Sequence, residues 1–283
     1  MLITILLSSL LVLITMLPLA WKWQLGMVRI GAFAELAALL AALLLFLPGN
    51  RLPLPAPLQV AIIWCIAVAG TFALLAYRFY RDPERSIPVA PGAIVSPADG
   101  KVIYIREVHR GTLPVATKQG KEYLLCELTK MSFYTEEAII IGISMNFMDV
   151  HVNRAPVTGR VSFQCHFPGR FGSLRDPAMV FENERATTVF EQGDLQIAIV
   201  QIASRLVRQI VSYVAEGQQV ARGQRFGVIR FGSQVDMILP SLATLHLQVK
   251  PGDRVRAGES IIAMDTTPVT NVFSSIAAKD EAL

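Results

Sequence analysis

A chain of 283 residues with 53% hydrophobic and only 17% charged side chains is more apolar than a typical soluble protein, whose apolar share is about 45 to 50%. The excess is concentrated at one end, because residues 1 to 80 carry only Lys22, Arg29, Glu35, Arg51 and Arg78 as charges, and this argues against a wholly soluble chain. The net charge of +4 comes without a basic run, so no nucleic-acid partner is expected, while attraction to an anionic lipid surface is.

In chain order, the stretches Leu2 to Ala20, Ile30 to Leu47 and Leu58 to Tyr77 each fit the roughly 20 residues that cross a bilayer core. The third holds no charge and ends in Arg78, Arg81 and Arg85, a basic flank that belongs on the cytoplasmic side. Lys22 and Arg29 fall on that side too, with the N-terminus outside. Residues 1 to 80 therefore predict a membrane anchor of two to three transmembrane helices, with Glu35 near the interface or facing a neighbouring helix. The proline-rich stretch Pro48 to Pro57 fits a short external hairpin.

From Arg81 onward the composition is that of an ordinary soluble domain, and residues 81 to 283 suffice for one core. Runs rich in β-branched residues, at Lys101 to Ile105, Ala138 to Ser144, Arg160 to Phe163 and Leu195 to Ile202, predict a mostly β domain in which some α+β elements are allowed. Gly217, Val220 and Gly223 recur as Gly252, Val255 and Gly258, two G-x-x-V-x-x-G units each followed by an apolar strand. Glycine suits positive backbone angles in tight turns, and the valine between is expected to point inward. Such paired units resemble the barrel-sandwich halves of biotinyl and lipoyl carrier domains. Ile262-Ala263-Met264-Asp265-Thr266 supplies no lysine for a prosthetic group, which leaves a non-catalytic membrane adaptor on that scaffold as one reading. Cys65, Cys126 and Cys165 are odd in number and widely spaced, so neither a disulfide framework nor a metal site is expected.

Five short motifs carry the chemistry: Phe79-Tyr80-Arg81-Asp82-Pro83-Glu84-Arg85, Ser96-Pro97-Ala98-Asp99-Gly100-Lys101-Val102, Asp149-Val150-His151-Val152-Asn153-Arg154-Ala155-Pro156, Glu182-Asn183-Glu184-Arg185 and Phe231-Gly232-Ser233-Gln234-Val235-Asp236. A Gly-Ser pair alone is an ordinary turn. In this order and spacing, over about Phe79 to Met264, the set resembles the short, membrane-associated bacterial type of phosphatidylserine decarboxylase proenzyme.

That resemblance implies self-cleavage between Gly232 and Ser233 and a covalent pyruvoyl group derived from Ser233, with no external cofactor. It also implies conversion of phosphatidylserine to phosphatidylethanolamine at the cytoplasmic face of the inner membrane, with both fragments remaining associated and a homodimer allowed. A pyruvoyl enzyme for a soluble amino acid shares the cleavage but does not need the apolar region.

Of four histidines, His151 is the favoured general base. Asp99 is expected to orient it, although Pro-Ala-Asp-Gly is also a turn sequence. His246 fits a strand face, and His109 and His166 fit solvated loops. Longer members of the family have a second histidine where this chain has Arg154, whose forked donors suit a carboxylate or a phosphate.

Overall fold

The computed structural model describes residues 1–23, 25–47, 54–109, 112–113, 123–124, 128–129, 137–174, 176, 179–204, 209–230 and 233–266. Three helices come first: α1 (Leu2–Lys22), α2 (Met27–Leu45) and α3 (Ala56–Tyr80). All three are long and apolar enough to cross a membrane. They pack on one another through a stripe that includes Val12, Met16, Ala34, Ala38, Ile63 and Ala67, while leucines such as Leu10, Leu40 and Leu43 point outward. Outward-facing leucine is the reverse of a soluble bundle and fits a lipid surround. Small residues on α2 let the helices approach closely. Part of the expected external hairpin, residues 48–53, lies outside the described residues. Glu35 sits mid-way along α2 with its Oε1 buried and no hydrogen-bond partner among the described residues.

The remainder is mostly β. An eight-stranded antiparallel sheet runs in the order β11 (Gln219–Val220), β7 (Gly159–Phe167), β8 (Arg185–Gln192), β9 (Leu195–Ile202), β13 (Ser233–Pro240), β5 (Ala138–Met145), β2 (Gly100–Val108), β15 (Arg254–Val255). One three-stranded sheet joins β1 (Ala93–Val95), β16 (Ile261–Asp265) and β14 (Leu245–Leu247). Another joins β10 (Ile210–Ser212), β12 (Arg225–Ile229) and β6 (Val152–Arg154). A short pair, β3 (Thr112–Leu113) with β4 (Tyr123–Leu124), completes the set.

The strands sort their side chains by alternation. Along β13, Val235, Met237 and Leu239 enter the core shared with the small sheets, where they meet Phe226 and Ile229. Ile238 enters a second core with Ile140, Val189 and Val200. Both halves of the repeat behave as the spacing predicts. Gly217, Gly223, Gly252 and Gly258 have φ of 88°, 79°, 104° and 77°, and Val220 and Val255 are buried.

Residues 81–85, which leave α3, are fastened to the β domain by charge. Arg85 grips the Asp99 carboxylate with two bonds of 2.9 Å and also reaches Glu259 at 3.6 Å. Asp82 accepts from Arg154 and Arg225, and Glu84 pairs with Arg225 at 2.8 Å. Arg81 donates to the Met148 carbonyl at 3.2 Å.

The Arg85 and Asp99 side chains are only 6% and 11% exposed. Arg85→Ala would leave Asp99 buried with the Ala257 N–H as its remaining partner, a loss of about 3 to 5 kcal/mol for an uncompensated buried charge. Arg256→Ala, at a 72% exposed side chain, should cost about 0 to 1 kcal/mol. Thermal unfolding of both variants in the same detergent should show a clear drop for the first and little for the second.

Candidate active site

Ser233 opens β13, the strand held between β5 and β9. Its backbone pairs with Met145, and the next residue, Gln234, pairs with Ser144 on one side and Ile202 on the other. Gly232 lies outside the described residues. Upstream, β12 ends at Ile229, four positions before Ser233. The Gly-Ser step therefore lies in the passage from the small sheet to the large one.

His151 is fixed to the start of that passage. Its carbonyl accepts the Ile229 N–H at 3.2 Å, and β6, which follows it, pairs with β12 through Val152 and Val228. The imidazole is 1% exposed and packs against the Phe79 ring, with centroids 4.4 Å apart. Neither ring nitrogen has a hydrogen-bond partner among the described residues. Burial lowers the imidazole pKa to about 4. The Asp149 backbone and carboxylate pull the other way without reaching hydrogen-bond geometry to either nitrogen. At neutral pH this is an uncharged imidazole, the form able to accept a proton.

Asp99 makes different contacts from those the relay expects. Its carboxylate is taken by Arg85 and by the Ala257 N–H at 2.8 Å, and no hydrogen bond joins it to His151 among the described residues. The link between the two motifs runs through the backbone. The Pro97 carbonyl accepts from the Arg154 N–H at 2.9 Å and from Asn153 Nδ2 at 3.2 Å. Gln201 then donates to Asn153 Oδ1 at 2.8 Å. This buried chain pins the Asp99 turn to the strand that follows His151.

Arg154 uses its fork on Asp82 at 3.2 Å, the Pro83 carbonyl at 3.1 Å and the Gly223 carbonyl at 2.9 Å. The carboxylate that its donors suit belongs to the protein itself. The remaining histidines carry little that suggests catalysis. His246 is exposed on β14. His109 is 2.6 Å from Glu137. His166 lies on β7 and not in a loop, 2.9 Å from Glu184, because pairing with Ala186 extends the strand past it.

Sequence reasoning missed a second polar cluster, on the face of β13 opposite Val235. Tyr104 Oη donates to Asp236 Oδ2 at 2.7 Å, while Gln234 Nε2 donates to Tyr104 Oη and to Asp236 Oδ1, both at 2.7 Å. These residues border a cavity of about 230 Å³, with Arg106, Leu128 and Phe181 among its walls. Burial pushes the Asp236 pKa up to about 6 against the pull of its hydrogen bonds and of Arg106 and Arg185. A carboxylate inside the apolar run Val235 to Leu239 was the available signal. Asn183 and Arg185 of the fourth motif are structural. Asn183 clasps the Gly172 backbone at 2.7 and 3.0 Å, and Arg185 caps the Leu128 carbonyl at 3.2 Å.

Comparison with known proteins gives the family. The family model described as phosphatidylserine decarboxylase matches residues 72–263. The phosphatidylserine decarboxylase proenzyme of Geobacter metallireducens is 35% identical over 231 residues, covering 80% of this chain and 91% of its own length. Those of Symbiobacterium thermophilum and Pelobacter propionicus are 37% and 39% identical, covering 73% and 69% of this chain and 87% and 79% of their own. With motifs, family model and relatives in agreement, the chain belongs to the phosphatidylserine decarboxylase family.

Proposed function

We propose that this chain matures by cutting itself between Gly232 and Ser233, and that it decarboxylates membrane phosphatidylserine through a pyruvoyl group made from Ser233. The observation that carries this reading is His151. It is a buried, uncharged imidazole with both nitrogens unpartnered among the described residues, tied by its backbone to the strand that leads into the Gly-Ser step. A neutral base tied to the strand that leads to the Gly-Ser step fits a group generated from the chain itself.

In maturation, His151 takes the Ser233 hydroxyl proton as Oγ attacks the Gly232 carbonyl carbon. The amide C–N bond breaks, its nitrogen gains a proton, and an ester joins the two residues. Loss of the Ser233 α-proton expels the Gly232 carboxylate and leaves dehydroalanine. Water then releases ammonia and leaves the ketone. Once formed, the pyruvoyl group supplies an electron sink for loss of carbon dioxide from the serine headgroup. Asp99 acts in support, holding the turn that is bonded to Asn153 and Arg154 and receiving Arg85 from the anchor.

The two fragments are expected to stay together. In the intact fold β13 lies between β5 and β9, β16 pairs with β1, and β15 pairs with β2. Arg85 to Glu259, the Ala257 N–H to Asp99, and Tyr104 to Asp236 also cross the proposed division. A cytoplasmic site at the inner membrane is supported by charge. Lys22 closes α1, Arg29 begins α2, and Arg78 ends α3 at the end of the bundle that adjoins the β domain. This is the distribution that the positive-inside rule describes.

Three outcomes are expected of the full-length protein in vesicles. Carbon dioxide should be released from phosphatidylserine and not from free serine or aspartate; release from the free amino acids at a comparable rate would reject the lipid substrate. Ser233→Ala should run as one uncut band on a denaturing gel and release none. His151→Gln should slow cleavage by about 10²- to 10⁴-fold, the usual contribution of a general base, and unchanged cleavage would remove His151 from the mechanism.

A further inference from the structure

The ring of His151 poses a question that its hydrogen bonds do not answer. An imidazole that serves as a base must be aimed, and this is ordinarily done by a bond to its second nitrogen. Here neither nitrogen has a partner among the described residues, and the contact that the ring does show is packing.

The packing comes from the membrane region. Phe79, in the last turn of α3 and 3% exposed, lies 4.4 Å from the His151 ring at 39°. Phe79 also meets Phe147 at 5.2 Å, and Phe147 stacks on Trp23 at 5.9 Å and 15°. Trp23, at the end of α1, turns its edge to Phe72 of α3 at 6.4 Å. Phe147 and Met148 join the buried cluster of the helices, and Arg81 holds the Met148 carbonyl. The loop that leads into His151 is thus seated on the helix ends. The backbone of His151 is held in turn by the Ile229 N–H.

We propose that Phe79 is a positioning residue for His151, so that the third membrane helix is a working part of the catalytic site as well as its anchor. This rests on the reading of His151 as the base. The aromatic face fixes the plane of the imidazole and keeps water from it, and a dry imidazole stays neutral. The charged groups on the elements packed around it are Asp149 in its own loop, shared with Arg254 at 3.1 Å, Arg78 in the last turn of α3 with Arg81 and Asp82 after it, Arg154 on β6, and Arg225 on β12 with Arg230 after it.

The test follows self-cleavage of the full chain, synthesised cell-free into phosphatidylcholine vesicles and shifted to a series of pH values. Wild-type cleavage should be level at neutral pH and fall with a midpoint near pH 4, where His151 takes a proton. Phe79→Ala admits water, so its midpoint should rise toward the ordinary 6.5 and its rate at neutral pH should fall at least tenfold. Phe79→Tyr should restore both. Phe79→Leu, which keeps the apolar volume should the alanine variant not fold, should cleave more slowly with its midpoint in place. A wild-type rate in Phe79→Leu, or an unmoved midpoint in folded Phe79→Ala, overturns the proposal. Wild-type cleavage by His151→Gln instead overturns the reading of the base, which keeps the two failures distinct.

Discussion

The junction between membrane helix and β domain rests on one buried ion pair, Arg85 with Asp99. Two charges taken out of water are costly, and only good geometry offsets that cost. Here the guanidinium makes two 2.9 Å bonds, and the Ala257 N–H satisfies the carboxylate from another side. Asp82, between Arg154 and Arg225, adds a second fastening. With both in place, the end of α3 is held in a set relation to the sheet. That relation brings Phe79 onto His151 and Arg81 onto the Met148 carbonyl. An anchor on a flexible tether would leave the imidazole open to water and its ring free to turn.

Two buried titratable groups flank the start of the central strand, and their shifts oppose each other. His151 titrates near 4 in place of 6.5, so between those values the unfolded chain binds more protons. Its contribution to stability is complete above 6.5 and is lost as pH falls toward 4. Asp236 titrates near 6 in place of 3.8, so there the folded chain binds more protons. Its contribution is complete below 3.8 and is lost as pH rises through 6. Between about pH 4 and 6 the two trends offset. At neutral pH the result is an uncharged imidazole near one end of the β12–β13 passage and an ionised carboxylate near the other, the latter hydrogen-bonded by Tyr104 and Gln234.

Much of the architecture was legible in the residues. Apolar length announced two to three helices, of which three are present, and the recurrent glycines announced their turns because only glycine takes those positive angles without strain. Alternation of β-branched residues found β5 and β9 to within a residue. The site was legible as a set of motifs but not as a set of contacts. Nothing local says that Asp99 faces Arg85, since the partners lie on opposite sides of a strand and meet only when the anchor docks. Arg154 was recognisable as a holder of a carboxylate or a phosphate, yet the carboxylate it holds, Asp82, is 72 positions away in sequence. His166 was misplaced because its strand is extended by pairing with β8, a long-range effect that no window of neighbours contains.

The central claim is that the chain makes its own reactive group at position 233. Intact-mass measurement of the purified protein under denaturing conditions tests it most directly. The account predicts an N-terminal fragment of 232 residues and a C-terminal one of 283 − 232 = 51 residues, the latter blocked at its N-terminus and lighter than an unmodified Ser233 fragment by one ammonia. A single uncut chain in a preparation that decarboxylates phosphatidylserine would contradict it.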